Sequence, residues 1–235
     1  KLYFFEKDNY TMSDQSGFAD DFGRETQFFG ANSSLNARIK YLLPKRHTFG
    51  KMTMEVFDET GKSIVKLSPG KSKGMNFVTW NYRMSQPKVA KGKTLARGGL
   101  TSPRVKEGKY NIVINKGRDS FSKSIYVSDD PSTNLDSNEK KLKYETTMKL
   151  YNLSEELAYV VYTIDEMLSS DTIKKGVKNK LQTIKESMVI TTGDNYVGTA
   201  ENELREDLLD LYSKLASSYD KPSQNDLDNL SIVQD

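Results

Sequence analysis

A chain of 235 residues is long enough for one large domain or two small ones. Its contents of 36% hydrophobic and 29% charged residues exclude a fibrous or wholly disordered protein, and the absence of cysteine excludes disulfides, thiolate metal sites and cysteine nucleophiles. No apolar run reaches membrane-spanning length, so we predict no transmembrane segment. Because the chain begins with Lys1 rather than Met, we interpret it as a fragment or a processed product.

The net charge of +3 hides an uneven distribution along the chain. Residues 1–128 contain 23 Lys and Arg against 11 Asp and Glu, a net charge of +12. Residues 129–235 contain 12 Lys and Arg against 21 Asp and Glu, a net charge of −9. Such a split indicates a boundary between two modules. Either one module docks on the other, or a basic face meets an anionic partner.

The N-terminal segment is polar and interrupted by phenylalanines. Its acidic residues are Asp8, Asp14, Asp20 and Asp21. Oxygen ligands on a loop suit Ca²⁺, but the spacing does not match an EF-hand loop, and we favour an ordinary acidic loop. The phenylalanines, which we expect to hold the segment against a hydrophobic surface, are Phe18, Phe22, Phe28 and Phe29.

From Ala37 onwards apolar residues alternate with polar ones, which predicts β-strands. The predicted strands cover residues 37–43, 52–56, 64–67, 74–83, 110–114 and 121–127. Turns at 58–62 and 115–117 join two pairs of them as hairpins. With a further strand at residues 2–5, about seven short strands predict an antiparallel β-sandwich of the Ig or fibronectin-III type over residues 1–130.

After Asp130-Pro131 the period becomes helical, which predicts an all-α antiparallel bundle of three to four helices over residues 131–235. Asp136 and Glu139 match a capping box at the start of the first helix. Its apolar positions are Leu150, Leu153, Leu157, Val160, Val161, Ile164, Met167 and Leu168. Ser169-Ser170 ends this helix, and Asp171 is the predicted N-cap of the second. A third helix, capped near Thr199, and a short one from Pro222-Ser223 complete the bundle.

The segment Gly74-Met75-Asn76-Phe77-Val78-Thr79-Trp80-Asn81-Tyr82-Arg83, followed later by Glu107-Gly108-Lys109-Tyr110, resembles a motif pair of an Ig-like module. That module occurs in flagellar hook-capping proteins and at the C-termini of secreted Bacteroidetes proteins. The chain is most similar to the C-terminal region of their sortilin-type (BNR/sialidase-like) β-propeller proteins. Asn81 stands where the family usually has Asp, and Glu107 where it has Pro. The resemblance implies an Ig-like fold and an extracytoplasmic setting: periplasm, cell surface or secreted.

The motif residues also have a physical interpretation. Trp80, together with Phe77 or Val78, is expected to bury a large area from one strand, and Tyr110 to meet them from a second. We therefore predict that these three aromatic side chains form the structural core and not a ligand platform.

No catalytic set is evident in the sequence. His47, the only histidine, lies in a polar turn without a local nucleophile or carboxylate partner. Phosphate-binding loops, zinc spacings and serine nucleophile elbows are not found. We predict no enzyme activity, no metal and no cofactor.

The connection between residues 84 and 108, here called the crossover, is rich in basic residues. The candidate partner-binding residues are Arg83, which directly precedes the crossover, and six residues within it: Lys88, Lys91, Lys93, Arg97, Arg104 and Lys106. Such a loop suits an anionic polymer such as an acidic glycan. Because aromatic residues are not interleaved, base stacking is not expected and we predict no nucleic-acid partner. A solvated loop, or one docked on the acidic helices, is the favoured alternative.

Two further patterns bear on partners. The helical tyrosines, interpreted as capping the bundle core rather than stacking on carbohydrate, are Tyr144, Tyr151, Tyr159, Tyr162, Tyr212 and Tyr219. Asp171-Thr172-Ile173 resembles the O-glycosylation site of Bacteroidetes secreted proteins, although an N-cap explains it as well.

We therefore predict a non-catalytic interaction or scaffolding fragment of an exported bacterial β-propeller protein, within a cell-envelope or secreted assembly. Its partner would be another protein or the upstream propeller domain. The alternative is an accessory domain of a secreted glycoside hydrolase that contacts glycans through exposed aromatic residues.

Overall fold

The computed structural model describes residues 1–5, 8–13, 36–192 and 203–234. Contacts divide the chain into two compact units. The β unit comprises residues 1–85 and 104–134, and the helical unit comprises residues 86–103 and 135–235. The crossover thus contributes residues to both units.

The β unit contains two sheets. In chain order, its described strands are β1 (Tyr3–Phe4), β2 (Asn9–Thr11), β3 (Ala37–Leu43), β4 (Met52–Phe57), β5 (Ser63–Leu67), β6 (Gly74–Trp80), β7 (Gly108–Lys116) and β8 (Asp119–Ser128). One sheet has the order β1-β3-β6 and is antiparallel throughout. The other has the order β2-β8-β7-β4-β5, in which β4–β5 and β7–β8 are the predicted hairpins.

The prediction of a purely antiparallel sandwich is wrong, because β2 pairs with β8 in parallel, with Tyr10 opposite Val127. The five-stranded sheet is therefore mixed. A three-residue strand is too short to show a period, and its partner lies more than a hundred residues away in the chain. Parallel pairing needs a long connection between the two strands, which the intervening chain supplies.

Aromatic rings from both sheets meet in the core of the β unit. Trp80 on β6 is 1% exposed and Tyr110 on β7 is 3% exposed, and their ring centroids lie 5.5 Å apart in an edge-on arrangement. Tyr82 adds a tilted ring 5.6 Å from Trp80. The indole Nε1 donates to the Arg83 carbonyl oxygen at 3.0 Å, so the buried polar atom of Trp80 is satisfied.

Phe77, which we expected in this core, lies on the outer face of the three-stranded sheet and is 54% exposed. Successive side chains of a strand point to opposite faces. Because Trp80, Val78 and Asn76 are buried, Phe77 must point outwards.

Other residues of the motif shape the turn that enters β6. Gly74 has a φ of +95°, a backbone conformation that residues other than glycine rarely adopt. The Asn76 amide Nδ2 donates to the carbonyl oxygens of Ser72 (2.8 Å) and Gly74 (3.1 Å). The Tyr110 hydroxyl likewise donates to the Lys106 carbonyl oxygen at 2.7 Å, which fixes the entry into β7. The motif residues therefore have structural roles.

The helical unit contains, in its described ranges, α1 (Ser137–Ser169), α2 (Lys175–Glu186), α3 (Leu204–Ser217) and α4 (Gln224–Ile232), with a 3₁₀ helix at Arg97–Leu100. The capping box at Asp136 and Glu139 is confirmed, as is the end of α1 at Ser169. The Asp171 N-cap is wrong, because α2 begins at Lys175 with Lys174 at the N-cap. The predicted cap at Thr199 lies outside the described residues.

Side chains from α1, α3 and α4 form the core of the helical unit, and Ala90 of the crossover joins them. Its most deeply buried members include Leu150, Val161, Leu208, Tyr212 and Leu215. In contrast, α2 buries none of its residues. None of the helices within the described ranges combines the length and apolar character needed to cross a membrane.

Candidate functional site

The candidate basic residues of the crossover are divided between the two units. Arg83 and Arg104 face each other in the β unit as an isolated antiparallel bridge, and Arg104 Nη2 donates to the Ser13 carbonyl oxygen at 2.9 Å. Lys106 is exposed in the same unit. The helical unit holds the other four predicted residues, all exposed: Lys88, Lys91, Lys93 and Arg97. Three of these seven residues thus belong to the β unit and four to the helical unit.

Arg205, at the start of α3, anchors the crossover to the helical unit. Its side chain is 2% exposed, and Nη1 donates to the Ala90 carbonyl oxygen at 3.0 Å. Nη2 donates to the Thr94 carbonyl oxygen at 3.2 Å, and Nε donates to Glu206 Oε1 at 2.9 Å. A Cβ added at Gly92 would lie 2.5 Å from Nη1, so the loop wraps closely around the guanidinium. Sequence reasoning missed Arg205, because an arginine in an acidic helical turn looks solvated.

The rest of the crossover is also packed. Thr94 Oγ1 donates to Glu206 Oε1 at 2.7 Å, and Tyr212 OH donates to the Thr101 carbonyl oxygen at 2.8 Å. A Cβ added at Gly98 would lie 2.3 Å from the carbonyl oxygen of Leu209, which places the 3₁₀ helix directly on α3. The crossover backbone is therefore a structural element of the helical unit, while its basic side chains stay at the surface.

One carboxyl group of α3 has a perturbed pKa. Burial, followed by the nearby Asp207 and Glu206 carboxylates, raises the pKa of Asp210. The described residues, those of α3 included, supply no group of three or more His, Asp or Glu that is able to hold a metal ion. His47 is half-buried. Asp8, one of the acidic residues weighed for Ca²⁺, pairs with Lys123 at 2.9 Å, and Asp14, Asp20, Asp21 and the four N-terminal phenylalanines lie outside the described residues.

A second candidate surface lies on the outer face of the three-stranded sheet, and we call it the outer patch: Tyr3, Phe5, Met75 and Phe77. These side chains are 51%, 40%, 65% and 54% exposed, respectively. The register places Tyr3 and Met75 on either side of Leu42 in one row. Phe5, whose N–H donates to the Lys40 carbonyl oxygen, and Phe77 flank Lys40 in the next row. The four side chains thus share one face.

Cations border the outer patch. The guanidinium carbon of Arg38 lies 4.4 Å from the Phe77 ring centroid, and Lys1 Nζ lies 5.9 Å from that of Tyr3. Both contacts suit cation–π attraction. Sequence reasoning missed this surface, although the alternation that buries Trp80 already places Met75 and Phe77 on the opposite face.

The six helical tyrosines divide between the core and the surface. Tyr151 and Tyr212 are buried, with ring centroids 6.3 Å apart. Tyr144 is half-buried, and the exposed members are Tyr159 (72%), Tyr162 (59%) and Tyr219 (39%). Tyr159 and Val160 line a shallow depression on α1 together with Glu155 and Glu156. Asp171 and Thr172 of the glycosylation-like sequence are exposed.

The geometry thus offers two surfaces for partners, the outer patch and the basic side chains of the helical unit. No family model, characterised protein or solved structure matches the chain. The resemblance to the propeller-associated Ig-like module therefore remains a prediction from the sequence.

Proposed function

We propose that the chain is a non-catalytic interaction module that binds a protein partner through the outer patch. The observation that carries this proposal is the exposure of four large apolar side chains on one face of the three-stranded sheet. Contiguous exposed apolar side chains rimmed by polar residues typically mark binding surfaces. Aromatic residues and arginine also dominate binding energy at protein interfaces.

The patch is built on a rigid support. Its residues belong to or adjoin strands β1 and β6, which both pair with β3, and the opposite face of that sheet carries the buried Ile39, Tyr41 and Trp80. The backbone of a regular sheet is already ordered and loses little conformational freedom when a partner binds. Full burial of a large apolar side chain contributes about 1.5–3 kcal/mol, and each of these four side chains, which are 40–65% exposed, has roughly half of that left to gain on binding.

We further propose that this module belongs to an exported bacterial β-propeller protein, where it scaffolds a cell-envelope or secreted assembly. The motif pair around Trp80 and Tyr110 supports this setting. The partner is then another envelope protein or the propeller domain of the same protein.

The experiment is affinity capture from an envelope extract of a Bacteroidetes bacterium, with the double variant Met75→Ser/Phe77→Ser. The matched control is Phe49→Ser, because Phe49 is 87% exposed in the β unit and is not part of the outer patch. We expect the double variant to lose at least about ten-fold in partner affinity, since two apolar anchors are removed. Equal capture by the double variant, the control and the unmodified chain would refute the outer patch as the binding surface.

A glycan-contacting accessory domain is the second candidate, favoured by the exposed rings of Tyr3, Phe5 and Phe77 on one face. Flat aromatic rings offer apolar platforms of the kind that sugars stack on. A glycan array separates the two functions. Selective binding of one oligosaccharide class that is lost in Tyr3→Ser/Phe77→Ser and retained in Phe49→Ser would establish this second candidate and displace the first.

A further inference from the structure

Helix α2 and the residue before it form the most basic segment of the helical unit. Residues 174–185 carry five lysines and no acidic residue. Asp171 and Glu186 flank the segment at its two ends. The lysines are Lys174, Lys175, Lys178, Lys180 and Lys185. The net charge of −9 for residues 129–235 therefore conceals a local excess of positive charge.

The same helix exposes apolar side chains. Val177 and Ile184 are 48% and 45% exposed, and Leu181 between them is half-buried. Residues spaced by four and three lie on one face of a helix, so the three form a single apolar stripe. Positions 174 and 180 lie on opposite sides of that stripe, at about 60° from its centre for a rotation of roughly 100° per residue. Lysines therefore flank an apolar stripe that the described chain leaves partly open.

The crossover brings further cations to the end of α2. The Lys93 N–H donates to the Ile190 carbonyl oxygen at 2.8 Å, four residues after α2 ends. Arg205 connects the same parts, since its N–H donates to Met188 O at 3.0 Å and its guanidinium holds Ala90. Lys91 and Lys93 therefore lie near the C-terminal end of α2, and Leu95, two residues further on, is 69% exposed.

Most of these cations have no acidic partner within the described ranges. Lys185 is the exception, because its Nζ lies 2.5 Å from Asp165 Oδ1 on α1. Lys178 and Lys185 are half-buried and the others are exposed. The basic face, as we call it, consists of Lys91, Lys93, Lys174 and Lys180. Lys175 lies about 160° around the helix from Val177 and therefore on the side away from the apolar stripe. Glu206, the carboxylate next to the crossover anchor Arg205, accepts hydrogen bonds from Arg205 and Thr94.

We propose that the basic face and the apolar stripe of α2 bind the surface of an anionic phospholipid bilayer. A soluble polyanion needs only the lysines, whereas Val177, Ile184 and Leu95 add apolar side chains suited to the boundary between headgroups and acyl chains. A helix of this length, about 18 Å at 1.5 Å per residue, lies in the plane of that boundary and does not span it. This site is independent of the outer patch.

The test is co-sedimentation of the 235-residue chain with phosphatidylcholine vesicles, with and without phosphatidylglycerol. We expect binding only to the anionic vesicles, and weaker binding at high salt. Lys93→Gln/Lys174→Gln/Lys180→Gln should lower the partition coefficient about 100-fold, because each lysine near the membrane surface contributes a roughly similar electrostatic increment. The matched control, Lys45→Gln/Lys51→Gln/Lys62→Gln, removes the same charge from exposed positions of the β unit and should bind as the unmodified chain does.

A second variant separates lipid from soluble polyanions. Val177→Ser/Ile184→Ser keeps every charge, and we expect it to lose roughly ten-fold in vesicle binding while binding dextran sulfate as before. Unchanged vesicle binding by this variant would overturn the lipid proposal in favour of a purely electrostatic polyanion site. Equal losses in the two triple variants would show that net charge alone governs binding and would overturn the proposal as well. Helical circular dichroism of each variant verifies that α2 and its neighbours stay folded.

Discussion

The guanidinium of Arg205 is almost completely shielded from solvent and makes hydrogen bonds to the carbonyl oxygens of Ala90 and Thr94 and to Glu206. A buried charge is tolerated only when it is paired and its donors are satisfied. Here the paired residues lie up to 115 positions apart in the chain. One arginine therefore holds the crossover in place on α3.

Replacing Arg205 by alanine should lower the free energy of unfolding of the helical unit by about 3–5 kcal/mol, because Glu206 loses its buried partner and two carbonyl oxygens lose their donors. Urea denaturation followed by helical circular dichroism measures this loss. Arg97→Ala is the control, since Arg97 is exposed on the neighbouring 3₁₀ helix and should change stability by less than about 0.5 kcal/mol. Similar midpoints for the two variants would contradict the anchoring role of Arg205.

At the scale of elements, Asp136 and Asp171 were both predicted to be helix N-caps, but only Asp136 is one. Asp136 Oδ1 accepts from the N–H groups of Asn138 and Glu139 at 2.8 Å each, and Glu139 Oε2 accepts from the Asp136 N–H at 3.1 Å. A hydrogen bond from Lys221, followed by the Asp136 N–H, lowers the pKa of Glu139. Asp171 makes no comparable cap, because Lys174 occupies the N-cap of α2.

Asp136→Ala should therefore destabilise the helical unit by about 1 kcal/mol, the usual contribution of an N-cap side chain. Asp171→Ala should have an effect below about 0.5 kcal/mol, as expected at an exposed position without a cap. Thermal unfolding followed by helical circular dichroism compares the two variants directly. A larger loss in Asp171→Ala than in Asp136→Ala is the result that would exclude this assignment of caps.

At the scale of the whole molecule, both units bury tyrosines whose ionisation opposes folding. Burial, the largest cause in each case, raises the pKa values of Tyr41 and Tyr82 in the β unit and of Tyr151 in the helical unit to about 12. In the unfolded chain such groups lose their protons near a pKa of 10.0. Between these values the unfolded state binds fewer protons than the native state, so stability falls as pH rises.

We expect the free energy of unfolding to decrease between neutral pH and about pH 11, a point inside that window. The double variant Tyr41→Phe/Tyr151→Phe removes one ionising group from each unit and should show a shallower decrease. Urea titrations at both pH values, followed by circular dichroism, provide the comparison. Identical decreases in the variant and the unmodified chain would show that these tyrosines do not control alkaline unfolding.

The sequence by itself determined the types of the longer elements, the hairpins, the capping box at Asp136 and the end of α1, because periodicity and capping depend on residues within a few positions of one another. It did not show the three-residue strand β2 or the 3₁₀ helix at Arg97–Leu100. Tertiary structure alone decided that β2 runs parallel to β8 and that Arg205 draws the crossover into the helical unit. The alternation along β6 was visible in the sequence, but only the buried Trp80 decides which face Phe77 occupies. The physical reason is that burial and pairing depend on contacts between residues far apart in the chain.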